Sequence, residues 1–298
     1  MRGRAIAAAA VPAVLALATY QVDRHLRNRL APAPREMPHT AESFGLPADD
    51  VWLTSTVGSV LHGWFVPPVS GPAPAVVVMH GWGANGSLML PIAAHLWAAG
   101  WAVVVADARG HGHSELVDHV SMPRFADDLD TFVDWAVRQP EVDGAMVVGH
   151  SVGAGAALLC ASRRDDLAGV VAVGTFADPR ELMGQAGAMQ RLPPTLRRGV
   201  FRRMELAMDV RFDDIVPLRT IADARCPVML VHGDADQVIP MHDFERLAAA
   251  ARPGTATLVV PGGAHDRFDE YLPFLGEVVG FLRSVPMGHD APAAQPGA

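Results

Sequence analysis

Between residues 51 and 282 the chain alternates short apolar runs with longer amphipathic stretches. The runs at 75–79, 101–106, 144–148, 169–173 and 227–231 have no charged interruption, which is the pattern of strands buried on both faces of a sheet. A shorter run at 257–260 predicts a last strand, and 51–56 with 61–66 around Gly58-Ser59 predicts a hairpin. Helices are expected at 88–99, 124–138, 241–251 and 268–282. In the second of these, Phe125, Leu129, Phe132, Val133 and Ala136 fall on one stripe. Repeated strand–loop–helix units predict an α/β fold, a mainly parallel sheet with helices on both faces. Functional loops then belong at the carboxyl ends of the strands, here 80–86, 107–114, 149–153, 232–239 and 262–266.

One segment breaks this rhythm. Between the strands at 169–173 and 227–231 the chain concentrates methionines (Met183, Met189, Met204, Met208) and arginines. Leu196, Val200, Met204 and Met208 recur every four residues, with Arg197, Arg198, Arg202 and Arg203 off that stripe. This predicts an amphipathic basic helix within a lid at 178–222. Two expectations compete for it: a plain packing helix, or one that touches anionic lipid or admits an acyl chain.

The amino terminus carries an uncharged run at 5–22, bounded by Arg2 and Arg4 before it and by Arg24, Arg27 and Arg29 after it. At about 1.5 Å per residue it spans about 27 Å, just short of a hydrocarbon core of about 30 Å, and Pro12 interrupts it. The readings are a single membrane anchor helix, a cleaved signal ending near 16–18, or a soluble extension. The anchor leads, and the arginine distribution leans toward a catalytic domain on the cytoplasmic side. A linker follows at 23–50, the main domain at 51–284, and a tail at 285–298 is expected to be disordered.

Composition removes whole classes of chemistry. The net charge of −8 argues against a nucleic-acid partner. Lysine is absent, which excludes a phosphate-loop lysine, a Schiff base and a Ser–Lys dyad. Two cysteines, Cys160 and Cys226, make neither a structural zinc site nor a disulfide framework. Asp107, His111 and His113 offer no open-site ligand set; Asp107 and Arg109 are better placed to tie loops together by ion pairing.

What remains is Gly149-His150-Ser151-Val152-Gly153, set between an apolar strand and a small-residue helix. A tight turn of this kind presents its serine hydroxyl above the sheet. The hydroxyl needs a base, and the base an orienting carboxylate, both expected from later strand ends. His265, in the glycine loop after the last strand, is the candidate base. Asp236 is favoured as the acid over Asp234, which suits a turn-supporting role, and over Asp266, which adjoins His265. The backbone N–H groups of Val152 and Trp82 are the candidate oxyanion donors.

The motifs His80-Gly-Trp-Gly, Asp107-Ala-Arg-Gly-His-Gly-His-Ser, Gly149-His-Ser-Val-Gly, Gly233-Asp-Ala-Asp with Val238-Ile-Pro, and Gly263-Ala-His resemble those of the α/β-hydrolase superfamily. The hairpin Leu61-His-Gly-Trp-Phe-Val-Pro-Pro is similar to its serine-aminopeptidase-like and lysophospholipase-like branch. The resemblance implies an eight-stranded, mostly parallel sheet with the lid between strands 6 and 7, and no cofactor or metal. It also implies Ser151 as nucleophile, Asp236 as acid, His265 as base, and Trp82 and Val152 as oxyanion donors. The expected activity is hydrolysis of a carboxylic ester of a small or lipid-like acyl substrate through an acyl-enzyme. An acyltransferase, perhydrolase or peptidase would use the same residues, and a non-catalytic binding protein on this fold is the alternative of another class. Membrane association through the N-terminal run and the basic lid is expected as a partner interaction.

Overall fold

Apolar runs pair side by side in the computed structural model, which describes residues 35–287 except 186 and 209, together with residues 20, 21, 24 and 31. The strands are β1 (Asp49–Thr54), β2 (Val60–Val66), β3 (Ala73–Met79), β4 (Ala102–Ala106), β5 (Val142–His150), β6 (Leu167–Val173), β7 (Val228–Gly233) and β8 (Ala256–Val260). They form one eight-stranded sheet in the order β1-β2-β4-β3-β5-β6-β7-β8. The pairs β1–β2 and β2–β4 are antiparallel and all others parallel. This is the eight-stranded, mostly parallel sheet expected above.

Period-two alternation divides each central strand between two cores. Val76 and Val78 of β3 join the cluster beneath α1 (Leu90–Ala98), which also holds Leu90, Leu96, Leu275 and Val278. Ala75, Val77 and Met79 face the other way, toward Phe125 and Phe132 of α2 (Met122–Ala136) and Leu158 of α3 (Val152–Arg163). Burying each such valine or leucine contributes about 1.5–3 kcal/mol, so a strand apolar on both faces belongs in the sheet centre. The edge strand β1 keeps one residue, Val51, buried, and leaves Trp52 exposed. The hairpin turn closes at Gly58 with φ +88°, a conformation that favours glycine.

Between β6 and β7 the chain is helical: α4 (Pro179–Gln185), α5 (Gly187–Gln190), α6 (Pro194–Met208), α7 (Phe212–Ile215) and α8 (Pro217–Thr220). On α6, Met204 is buried and Val200 and Met208 are half-buried, while Leu196 is exposed, so the stripe faces the body only along its later turns. Then follow α9 (Met241–Ala250), α10 (Phe268–Tyr271) and α11 (Leu275–Ser284). The expected single helix at 268–282 is split by a 3-10 turn, Leu272–Phe274, because Pro273 has no N–H to donate.

Two further expectations change. Residues within 36–50, expected as linker, include a 3-10 helix, Ala41–Phe44, and bury Ala41 and Leu46. Asn85, itself buried, donates to the carbonyls of Arg35 and Glu36 and ties this segment to the loop after β3. The anchor helix at 5–22 and the membrane-associated location drawn from it are corrected. Among the described residues no helix is long and apolar enough to cross a membrane. The alanine-rich run with Pro12 was already short for a hydrocarbon core. Residues 1–19 and 22 lie outside the described residues, as do 288–298 of the tail.

The antiparallel edge is pinned by charge. His62 on β2 is buried, with Nδ1 2.8 Å from Asp107 Oδ2 and Nε2 2.9 Å from Asp50 Oδ1. Carboxylates accept, so both ring nitrogens carry protons and the ring is an imidazolium. Burial works to lower its pKa, but the two carboxylates outweigh burial and raise it above the ordinary 6.5. Its stabilising contribution is therefore full below the unfolded pKa and is lost as pH rises through the raised folded value. Urea denaturation between about pH 6 and pH 9 should show wild-type stability falling across that window and a flatter profile for His62→Gln. Equal slopes for the two proteins would remove the imidazolium from this account.

Candidate active site

The turn from β5 into α3 is made where two backbone segments nearly touch. A methyl group added at Gly149 would stand 2.3 Å from the Gly153 carbonyl oxygen. One added at Gly153 would stand 2.4 Å from the His80 carbonyl oxygen, and no side chain fits at either place. Ser151 lies between them with φ 54° and ψ −116°. Among the described residues it is the one non-glycine residue with positive φ. Its N–H donates to the Val173 carbonyl at 2.8 Å, which fastens the turn to β6. The strained backbone lifts Oγ above the sheet.

Asp236 and His265 arrive on two loops that are bonded to each other. After β7, the Asp234 N–H donates to Val260 O and the Ala235 N–H to Gly263 O. In return, the Gly262 N–H donates to Asp234 Oδ1 at 2.7 Å, the turn-supporting role expected for Asp234. A side chain at Gly233 would meet Gly263 O at 2.0 Å, so these loops also depend on backbone contact. His265 Nδ1 lies 2.6 Å from Asp236 Oδ2, and His265 Nε2 lies 3.0 Å from Ser151 Oγ. Because a carboxylate only accepts, Nδ1 carries the proton, and the Nε2 lone pair faces the serine hydroxyl. The other carboxylate oxygen, Oδ1, accepts from the N–H groups of Val238 and Ile239, each at 2.8 Å. Burial works to raise the Asp236 pKa, but the His265 ring and these two N–H groups hold it below its ordinary value. The carboxylate thus stays charged beside the ring.

The loop after β3 abuts the serine. A Cβ at Gly81 would be 2.9 Å from Ser151 Cβ. Among the described residues the Trp82 N–H has no protein acceptor. Val152 is the first residue of α3, where a helical N–H has no intrahelical partner and the helix dipole favours negative charge. His80 supports the loop from beneath: its Nδ1 donates to Gly81 O at 2.7 Å, and its Nε2 accepts from the Ala108 N–H. Burial lowers its pKa against the pull of Asp107, so the ring is neutral.

Ser151 and His265 open on a cavity of about 410 Å³. Its walls are mostly apolar, with Met122, Phe176, Leu182, Met183, Met208 and Phe212 among them. The helical segment at 178–222 supplies much of this wall. Arg180 fixes the segment through Asp178 and Asp213, and Arg246 of α9 reaches Glu181.

Of the residues singled out by sequence, Ser151, Asp236 and His265 come together, with Trp82 and Val152 on the cavity wall. Asp266 lines the cavity with its exposed carboxylate and makes no contact with the ring of His265 among the described hydrogen bonds. Asp107 and Arg109 do not pair with each other. Asp107 holds His62 and the N–H groups of Gly86 and His113, while the buried Arg109 binds Asp128 through Nε and its backbone N–H. Losing one partner of such a pair costs about 3–5 kcal/mol. His111 turns away from Asp107 to Arg109 O and the Gly83 N–H. The cavity walls Val120, Phe176 and Ile215 were not legible, because nothing in an apolar residue's type tells a pocket wall from core.

Comparison with known proteins agrees with this fold. The serine aminopeptidase S33 family profile matches residues 70–217. An uncharacterized protein of Mycobacterium tuberculosis is 29% identical over 269 residues, 89% of each chain. A monoacylglycerol lipase of Mycolicibacterium smegmatis is 25% identical over 238 residues, 68% of this chain and 85% of the lipase. The crystal structure of the Pyrococcus furiosus esterase Pf2001 superposes with a TM-score of 0.67 at 23% identity, covering 87% of this chain and 98% of the esterase.

The strain at Ser151 makes a measurable prediction. Ser151→Ala keeps the Cβ in the disfavoured backbone, whereas Ser151→Gly relieves it. Such strain costs about 1–3 kcal/mol, against about 0.5–1 kcal/mol for the greater freedom of unfolded glycine. Ser151→Gly should therefore be more stable than Ser151→Ala by about 1 kcal/mol in urea denaturation. A less stable glycine variant would mean that the backbone at Ser151 is not strained.

Proposed function

The chain belongs to the α/β-hydrolase superfamily, and on that premise we propose that it is a serine hydrolase that cleaves carboxylic esters of lipid-like acyl groups through an acyl-enzyme. One observation carries the reading: Ser151, His265 and Asp236 are hydrogen-bonded in series, and Ser151 and His265 line a mostly apolar cavity. The likeness to a monoacylglycerol lipase supports the same substrate class. In this reading the catalytic domain comprises 51–284 together with the segment at 36–50 that packs on it, and 178–222 forms its lid.

Ser151 Oγ attacks the ester carbonyl carbon while His265 Nε2 takes the hydroxyl proton. The charged Asp236 stabilises the resulting imidazolium and keeps the ring in the productive tautomer. The tetrahedral oxyanion accepts from the N–H groups of Val152 and Trp82. The carbon–oxygen bond to the alcohol breaks, and His265 returns the proton to the leaving oxygen. Water then attacks the acyl-enzyme, gives its proton to His265, and the bond to Ser151 Oγ breaks as that proton returns to serine. Met122, Met183 and Met208 are suited to an acyl chain, since thioether side chains adapt to irregular apolar surfaces.

A fluorophosphonate probe should label the protein at Ser151, with labelling lost in Ser151→Ala and His265→Ala. Asp236→Asn should lower kcat by about 10³–10⁴-fold. A p-nitrophenyl ester series of increasing acyl length should give kcat/KM rising from acetate into the longer chains. Absence of labelling, together with absence of hydrolysis across the series, would leave a binding protein on this fold. A decline from acetate onward would remove the lipid-like substrate while leaving the chemistry.

A further inference from the structure

His150 is the last residue of β5 and directly precedes Ser151. Its ring is buried, and its Nε2 lies 2.9 Å from the main-chain oxygen of His265. A carbonyl oxygen only accepts, so Nε2 carries a proton and donates it. No other hydrogen bond to that carbonyl is made among the described residues. The ring leans on the His265 ring at a centroid distance of 4.8 Å, and Phe268 packs edge-on against it, also at 4.8 Å. The strand that carries the serine is thus joined twice to the loop that carries the histidine. One link is Ser151 Oγ to His265 Nε2, which the chemistry consumes. The other is His150 to the His265 backbone, which the chemistry leaves alone.

We propose that His150 is a positioning residue for His265, holding the base in register with Ser151 while the serine oxygen carries the acyl group. The proposal rests on Ser151 and His265 acting as nucleophile and base. In the acyl-enzyme the serine oxygen is an ester oxygen with no proton to offer, so its hydrogen bond to His265 is gone. Asp236 then grips the ring at Nδ1 alone, and a single hydrogen bond leaves the ring free to pivot about it. The link from His150 restrains the main chain behind that pivot during the wait for water.

The ring is suited to this task because it is neutral. Its second nitrogen, Nδ1, is buried without a hydrogen-bond partner, so a proton placed there would find no acceptor. Burial pushes the pKa of His150 down to about 3, with His265 acting in the same direction. No second positive charge therefore competes with the imidazolium that forms on His265.

Side-chain reach gives the test. Glutamine carries its amide nitrogen at about the reach of histidine Nε2, asparagine falls one bond shorter, and phenylalanine keeps the ring without a donor. Burst kinetics on a chromogenic ester separate acylation, read from the burst rate, from deacylation, read from the steady state. His150→Asn and His150→Phe should deacylate about tenfold more slowly, the effect expected from one lost hydrogen bond, with acylation and fluorophosphonate labelling within about twofold of wild type. His150→Gln should stay within about twofold in both steps. Thermal melts verify folding, and His150→Asn carries the comparison where His150→Phe does not fold. Equal slowing of both steps, or a glutamine variant as impaired as the asparagine one, overturns the positioning role. Failure of the wild type to label or turn over instead overturns the nucleophile assignment beneath it, and the positioning role falls with it.

Discussion

The structure depends on a near-collision of backbones. β5 can turn into α3 at Ser151 only because Gly149 and Gly153 leave no atoms where a side chain would stand. That contact pushes Ser151 into a conformation an L-residue avoids, and Val173 O secures the turn by accepting its N–H. A second contact of the same kind, Gly233 against Gly263 O, joins the loops that carry Asp236 and His265. These main-chain contacts, with the hydrogen bonds of Asp234 and Asp236, hold the two loops and the turn at Ser151 together.

Around this frame the electrostatics is sorted by burial. The histidines near the serine, His80, His111 and His150, are all driven toward neutrality by desolvation. His62 is the contrasting case, since carboxylates on both sides keep its charge. The site therefore presents a charged carboxylate, an imidazole with a free lone pair toward Ser151, and neutral rings beside them.

Legibility from sequence followed periodicity and spacing. The central strands were visible because a strand buried on both faces is apolar along its buried stretch, and 75–79, 102–106, 145–148, 167–172 and 228–231 within β3 through β7 are of that kind. The chemistry-bearing residues were visible because Gly149, Gly153, Gly233 and Gly263 mark turns in composition itself. Other features depended on partners distant in the chain. Nothing near Arg109 announces Asp128, and nothing near Asn85 announces the carbonyls of Arg35 and Glu36. The split at Pro273 could have been read, since proline cannot continue a hydrogen-bond ladder; the apolar stripe across it suggested continuity. The uncharged run at 5–22 is the reverse case: its hydropathy suggests an anchor, but its length falls short of a hydrocarbon core and Pro12 interrupts it.

The segment that walls the cavity leaves the sheet after β6 and rejoins it at β7, and these two strands are hydrogen-bonded neighbours, with Val173 opposite Val231. Chain of any length can be looped out between two such strands while their register stays the same. The wall of the cavity can thus diverge within 175–226 while the turn at Ser151 and the loops that carry Asp236 and His265 remain untouched. A lineage could exchange what it digests without relearning how to digest it.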